Sequence, residues 1–141
     1  ARPAVSELLE SWHDGRIKQS MIQRTLEVRA AHPALFREGS YQKLDVLGAH
    51  ADRIHAFARV LDGTAAVVIV PRLASGLLAD SKTPLIDASA WGDTRVVLPS
   101  AKSGATLKGL FSEQAVTAEK ELLVGTALKE FPVNLFLQSE L

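Results

Sequence analysis

Apolar residues recur at helical spacing at the start of the chain and at strand spacing after it. The period changes between Pro33 and Tyr41. Residues 3–12 predict a short helix: Pro3 suits a first turn, and Val5, Leu8, Leu9 and Trp12 follow the i, i+3, i+4, i+7 rule. Asp14-Gly15 interrupts the pattern, and Asp14 can cap the next helix. Residues 15–31 predict a longer helix, with Ile17, Met21, Thr25 and Val28 in one stripe. Ile22 and Leu26 widen the stripe, while Glu27 and Arg24 or Arg29 face away. Pro33 ends this helix near Ala31, because the residue before a proline is pushed out of the α region.

After Gly39 the pattern is that of short strands. Tyr41 to Val46 is mixed, with Leu44 and Val46 on one face. Residues 54–60 alternate, setting His55, Phe57 and Arg59 opposite Ile54, Ala56, Ala58 and Val60. Leu61-Asp62-Gly63-Thr64 is a hairpin signal, and the continuous apolar run Ala65 to Val70 predicts a central strand covered on both faces. Arg72 to Ser89, broken by Gly, Ser, Pro and Asp, predicts an excursion. Thr94 to Leu98, Leu107 to Phe111, Glu121 to Val124 and Val133 to Leu137 complete the strands, with a helical turn at Thr126 to Glu130. The fold class expected is α+β: helices over 1–38, then an antiparallel β-sandwich-like domain over 39–141. A sandwich can satisfy itself, so the helices' apolar stripes need either its outer surface or a partner outside this chain, and the second is expected.

Composition narrows the classes. Sixteen basic residues balance sixteen acidic ones, so no net field draws the chain to nucleic acid or to anionic lipid. The absence of cysteine excludes disulfides and thiolate metal sites. No apolar run approaches the ~18 residues of a membrane span, and no signal peptide opens the sequence. The first residue is not Met, so Ala1 reads as a processed or engineered start and the helix–strand join as an internal seam of a larger protein.

Phosphate-loop, dinucleotide, nucleophile-elbow and zincin motifs are missing. His50, Asp52 and His55 are metal-ligand types, but zinc needs three or four converging ligands and alternation points these apart; no metal and no cofactor is expected. Asp14, Arg16 and Lys18 form a denser polar group at a helix entry. There Asp14 suits the positive end of the helix dipole and the two bases oppose it; a surface or domain-packing role is the preferred reading, and contact with an acidic partner or a ligand is the alternative. Trp12 lies on the apolar stripe, so burial in a core or interface is preferred over sugar stacking. Trp91 precedes a turn into a strand and is either a plug at the sandwich edge, the preferred reading, or an exposed platform. Asp87, Asp93 and Glu113 are scattered through loops and give no carboxylate pair for glycoside chemistry.

Several stretches resemble, in order, the C-terminal end of maltooligosyltrehalose synthases, members of the α-amylase superfamily. Trp12-His13-Asp14-Gly15-Arg16-Ile17-Lys18 is similar to that family's W-R-D-G-R-I-K, and His32 to Tyr41 to its H-P-A-L-F-x-E-G-D-Y. His50-Ala51-Asp52 with Ala56-Phe57-Ala58-Arg59 resembles H-A-D-x-x-x-A-F-A-R, and Val67 to Leu73 resembles V-V-V-V-P-R-L. Trp91 to Thr94 with Leu98-Pro99 matches W-G-D-T…L-P, and Ala127-Leu128 with Phe131-Pro132-Val133 resembles the closing helix and strand. His13 replaces an Arg and Ser40 an Asp. The family's W-x-D-V-L-T-G segment corresponds to Leu107 to Ser112, which lacks the Trp and Asp, and residues 74–90 fit poorly.

The resemblance implies a cytoplasmic parent enzyme of trehalose biosynthesis. Its activity would convert the reducing-end α-1,4 linkage of a maltooligosaccharide to an α,α-1,1 linkage. This is an isomerase reaction, an intramolecular transglucosylation by a carboxylate nucleophile, an acid/base carboxyl and an assisting carboxylate. All three belong to a (β/α)8 barrel and none maps onto this sequence, so no catalytic residue is assigned. Residues 1–38 would end the barrel region. Trp12, Asp14, Arg16 and Lys18 would be candidate contacts to substrate or barrel, and exposed helix faces could drive dimerisation. The alternatives are a stand-alone carbohydrate-binding sandwich, which needs two or three exposed aromatics in line, a structural module without a ligand, and the tail of another α-amylase superfamily enzyme.

Overall fold

A computed structural model describes residues 5–10, 14–61, 64–72, 86, 88–98, 105–111, 115–118 and 120–138. Three helices open the chain: α1 (Val5–Glu10), α2 (Arg16–Ala31) and α3 (Pro33–Glu38). The strands are β1 (Ser40–Lys43), β2 (Val46–Leu47), β3 (Ile54–Leu61), β4 (Thr64–Pro71), β5 (Arg95–Val97), β6 (Ala105–Gly109), β7 (Val116–Ala118), β8 (Glu121–Leu123) and β9 (Asn134–Gln138), with a short helix α4 (Val124–Ala127) before the last. A six-stranded sheet has the order β1-β3-β4-β9-β6-β7, and a three-stranded sheet the order β2-β5-β8. Every pairing is antiparallel. The fold class is thus α+β with a sandwich-like β region, as the periodicities predict.

Alternation decides which residues fill the core. Ile54, Ala56 and Ala58 of β3, Val67 and Ile69 of β4, Leu107 of β6 and Phe136 of β9 point inward and meet Val96, Leu98 and Leu122 from the smaller sheet. Their neighbours in sequence point outward. There Ala66 and Leu135 pack against Leu35 of α3, joined by Val28 of α2 and by Phe36. Farther along, Ile17 and Met21 of α2 pack on Phe111 and Phe131, which stack at 4.8 Å, and on Leu9 of α1. The molecule therefore has three layers, helices on the large sheet and the large sheet on the small one. β4 is covered on both faces, as its unbroken apolar run predicts.

Four local expectations are corrected. The chain does not pass from α2 through a turn into a strand. His32 breaks the helix at φ −129°, and Pro33 starts α3, since a proline fits the first turn, where its missing N–H is not needed. The segment Tyr41 to Val46 is two strands in different sheets, and the crossing is held by Leu44 N–H donating to Ala56 O and Val97 N–H to Asp45 O. Arg24 does not face away: it is 5% exposed, because 17, 20, 21, 24 and 28 share one helical face. Its aliphatic stem can lie along the apolar contact. The stripe of α2 finds its partner inside the chain, on the sheet, while Ile22 and Leu26, on the far side, remain 49% and 55% exposed.

Candidate functional site

The helix entry is built from Asp14, Gly15 and Arg16. Gly15 sits at the N-cap of α2 with φ 85°, a left-handed conformation that L side chains rarely adopt. This turn lets Asp14 reach back. One carboxylate oxygen accepts the Arg16 N–H at 3.0 Å and the other accepts Arg16 Nε at 2.8 Å. The capping carboxylate thus acts from the position before the N-cap, and it also meets the arginine charge that opposes the helix dipole. Asp14, Arg16 and Lys18 are all exposed on one entry turn. Trp12 lies outside the described residues.

The His50–Asp52 turn and the Trp91–Thr94 turn, two of the stretches that carry the family resemblance, meet in space. Trp91 is 1% exposed, and His50 lies edge-on to it at 6.4 Å. Thr94 Oγ1 donates to Trp91 O at 2.6 Å and accepts His50 N–H at 3.1 Å, while Asp93 Oδ1 accepts Ala49 N–H at 3.0 Å. Gly48, at φ 108°, passes so close that an added Cβ would lie 2.7 Å from both Asp93 O and Thr94 Cα. These residues clamp one turn onto another. Trp91 is a plug, not a sugar platform. His55 is on the outer face of β3, and no group of three His, Asp or Glu converges among the described residues. Asp87 and Glu113 lie outside the described residues.

A groove opens where the helical layer ends on the large sheet. It encloses about 590 Å³, with Phe57, Val68 and Val70 as floor and Met21 and Phe36 among its walls. That volume is within the ordinary range for small-molecule sites, and such sites are mostly apolar with a few placed polar groups. The polar groups here include Arg29 and Arg59. Arg59 Nη2 donates to Phe36 O at 2.9 Å, in the last turn of α3, where a cation complements the helix dipole. Its Nε is enclosed with no acceptor among the described residues. No described lining residue is acidic, so the groove offers donors and apolar surface but no acid–base pair.

Beyond the groove the outer face of the β1–β3 ribbon is aromatic. Tyr41, 57% exposed, stacks on Phe57 at 5.2 Å and 27°, and His55 lies against Phe57 at 5.7 Å. Register explains the row: Tyr41 pairs with Arg59 and Lys43 with Phe57, so Tyr41 and Phe57 are diagonal neighbours on one face. The alternation of residues 54–60 already groups His55, Phe57 and Arg59. It does not reveal that α3 meets Arg59 while His55 stays exposed, which depends on tertiary packing.

No family model and no curated protein matches the sequence. Among solved structures, the chain is similar to a point mutant of maltooligosyltrehalose synthase from Arthrobacter ramosus, at 27% identity and a TM-score of 0.60. The match covers 82% of this chain and only 13% of that enzyme, so this sequence spans a small part of that enzyme's length. Motif order and fold agree: the chain is similar, over most of its length, to a part of a maltooligosyltrehalose synthase.

Proposed function

We propose that this chain is the C-terminal, non-catalytic region of a maltooligosyltrehalose synthase. The parent would rearrange the reducing-end α-1,4 linkage of a maltooligosaccharide to an α,α-1,1 linkage in the cytoplasm, as a step of trehalose biosynthesis. The observation that carries the reading is the coincidence of ordered motifs with a fold match over 82% of the chain. In this reading residues 1–38 end the parent's barrel region and 39–141 form its C-terminal β domain. The entry turn at Asp14, Arg16 and Lys18, with Trp12, then lies where barrel or substrate would be met. The exposed side of α2, with Ile22 and Leu26, is the surface left for the barrel, or for a second copy when the barrel is missing.

The test is an assay of the product of the complete gene on maltopentaose. Loss of reducing ends without glucose release, together with resistance of the new product to reducing-end reagents, supports the reading. Release of reducing sugars at a rate matching substrate loss would show a hydrolase of the wider superfamily instead. A complete gene product no longer than this chain would sink the reading outright.

A further inference from the structure

We propose that the outer face of the β1–β3 ribbon is a second carbohydrate site, a non-catalytic platform that holds an α-1,4-gluco-oligosaccharide on Tyr41 and Phe57. Three contiguous rings, His55, Phe57 and Tyr41, stand on a solvent-facing sheet surface, and the outermost is more than half exposed. A cross-strand aromatic pair can serve only to stabilise an edge. That role does not account for what adjoins it: Phe57 is also the floor of a groove of about 590 Å³ with guanidinium donors. Arg29 makes no hydrogen bond or ion pair among the described residues. Aromatic faces beside a planar donor such as Arg29 are the chemistry that receives a pyranose, whose C–H face is apolar and whose rim carries vicinal hydroxyls. A stacked nucleobase would be the rival, but the chain has sixteen charges of each sign and so no net field to gather a polyphosphate. The groove carries no carboxylate among its described lining, so the site binds without cleaving.

The choice of an α-1,4-glucan rests on the proposed function, whereas the platform rests on geometry alone. The chain has a single tyrosine, so its ring protons give one assignable pair of NMR signals, followed as the Tyr41 signal. Titration with maltoheptaose is expected to shift that signal in a saturable way. Tyr41→Ala is expected to weaken binding roughly tenfold, the value of about one well-placed ring contact. Tyr41 is exposed, so this variant keeps its melting temperature to within a few degrees; Arg29→Gln, in the lining of the adjoining groove, is expected to weaken binding while leaving the Tyr41 ring in place. Binding to maltoheptaose that survives both substitutions, or no shift of the Tyr41 signal at about 20 mM sugar, overturns the proposal. So does a shift produced by cellohexaose alone. A shift that tracks protein concentration rather than sugar would mean pairing of β1 edges between copies, and also overturns it. None of these results depends on whether the complete gene product makes a trehalose-terminated glucan, so the two readings fail separately.

Discussion

Thr94 shows how a residue without chemistry can underlie a recognisable motif. Its hydroxyl joins the Trp91 carbonyl to the His50 amide, and its own carbonyl accepts Val124 N–H at 2.9 Å. Thr94→Val keeps the shape, removes both hydroxyl bonds and leaves the His50 amide without its acceptor. We expect a loss of about 1–3 kcal/mol, since the Thr94 hydroxyl is fully buried and both of its hydrogen bonds are lost. Urea denaturation checks this, and an unchanged midpoint would show that the clamp contributes nothing. Some of this logic is readable in the sequence. Trp91 before a Gly-Asp turn predicts a plug, and Asp14 before Gly15 predicts a cap. Arg24 is not readable, because a charged residue on a helix reads as solvent-facing until Met21 and Val28, on the same face, are seen packed beside the buried Ser20. Tyr41 reads as an ordinary strand aromatic, and its exposure follows only from where the helical layer stops.

At the scale of elements, α2 carries two apolar surfaces with different fates. Met21 packs on the Phe111–Phe131 pair, and Ile22, one residue on, faces solvent. Met21→Ala is expected to destabilise the fold by about 2 kcal/mol, the low end for core truncation because the side chain is only partly buried. Ile22→Gln with Leu26→Gln should leave stability within about 0.5 kcal/mol, as for ordinary surface changes. Sedimentation of the chain at tens of micromolar is expected to show a dimer that this double variant lacks; a monomer for both would remove the helix face as a dimer surface. The strand series was legible for a simple reason. β3 and β4 are long, alternating or continuous, and joined where Leu61 faces Thr64 across a two-residue connection, of which Asp62 and Gly63 lie outside the described residues. β2 and β7, at two and three residues, are too short to impose a period on the sequence, and the break between β1 and β2 is set by the partner sheets. α3 was hidden by a rule used in one direction: Pro33 stops one helix and starts the next.

For the whole molecule, the question is whether the helices over 1–38 are an appendage or part of one cooperative unit. The packing favours one unit. Leu35 is 4% exposed and sits against Ala66 and Leu135, which are 0% and 6% exposed, and these sheet residues owe their burial to the helical layer. Fully burying a leucine-sized side chain contributes about 1.5–3 kcal/mol; Leu9 and Leu35 are buried in these contacts, and Met21, Val28 and Phe36 add partial burial. Their sum is comparable to the roughly 5–15 kcal/mol by which a domain is stable at all. A chain cut to residues 39–141 is therefore expected to lose its cooperative thermal transition or to melt far below the complete chain. It should also bind the dye ANS through the bared face of β4 and β9, as loosely packed states do. The sequence boundary at 38/39 predicts the reverse if it separates two self-sufficient bodies: the cut chain would melt sharply at an unchanged temperature and leave the dye dark. That result would place the natural partner of the helices outside this chain, on the barrel. The cooperative result would instead make α2 and α3 the fixed floor on which a barrel, where present, is seated through the opposite side of α2.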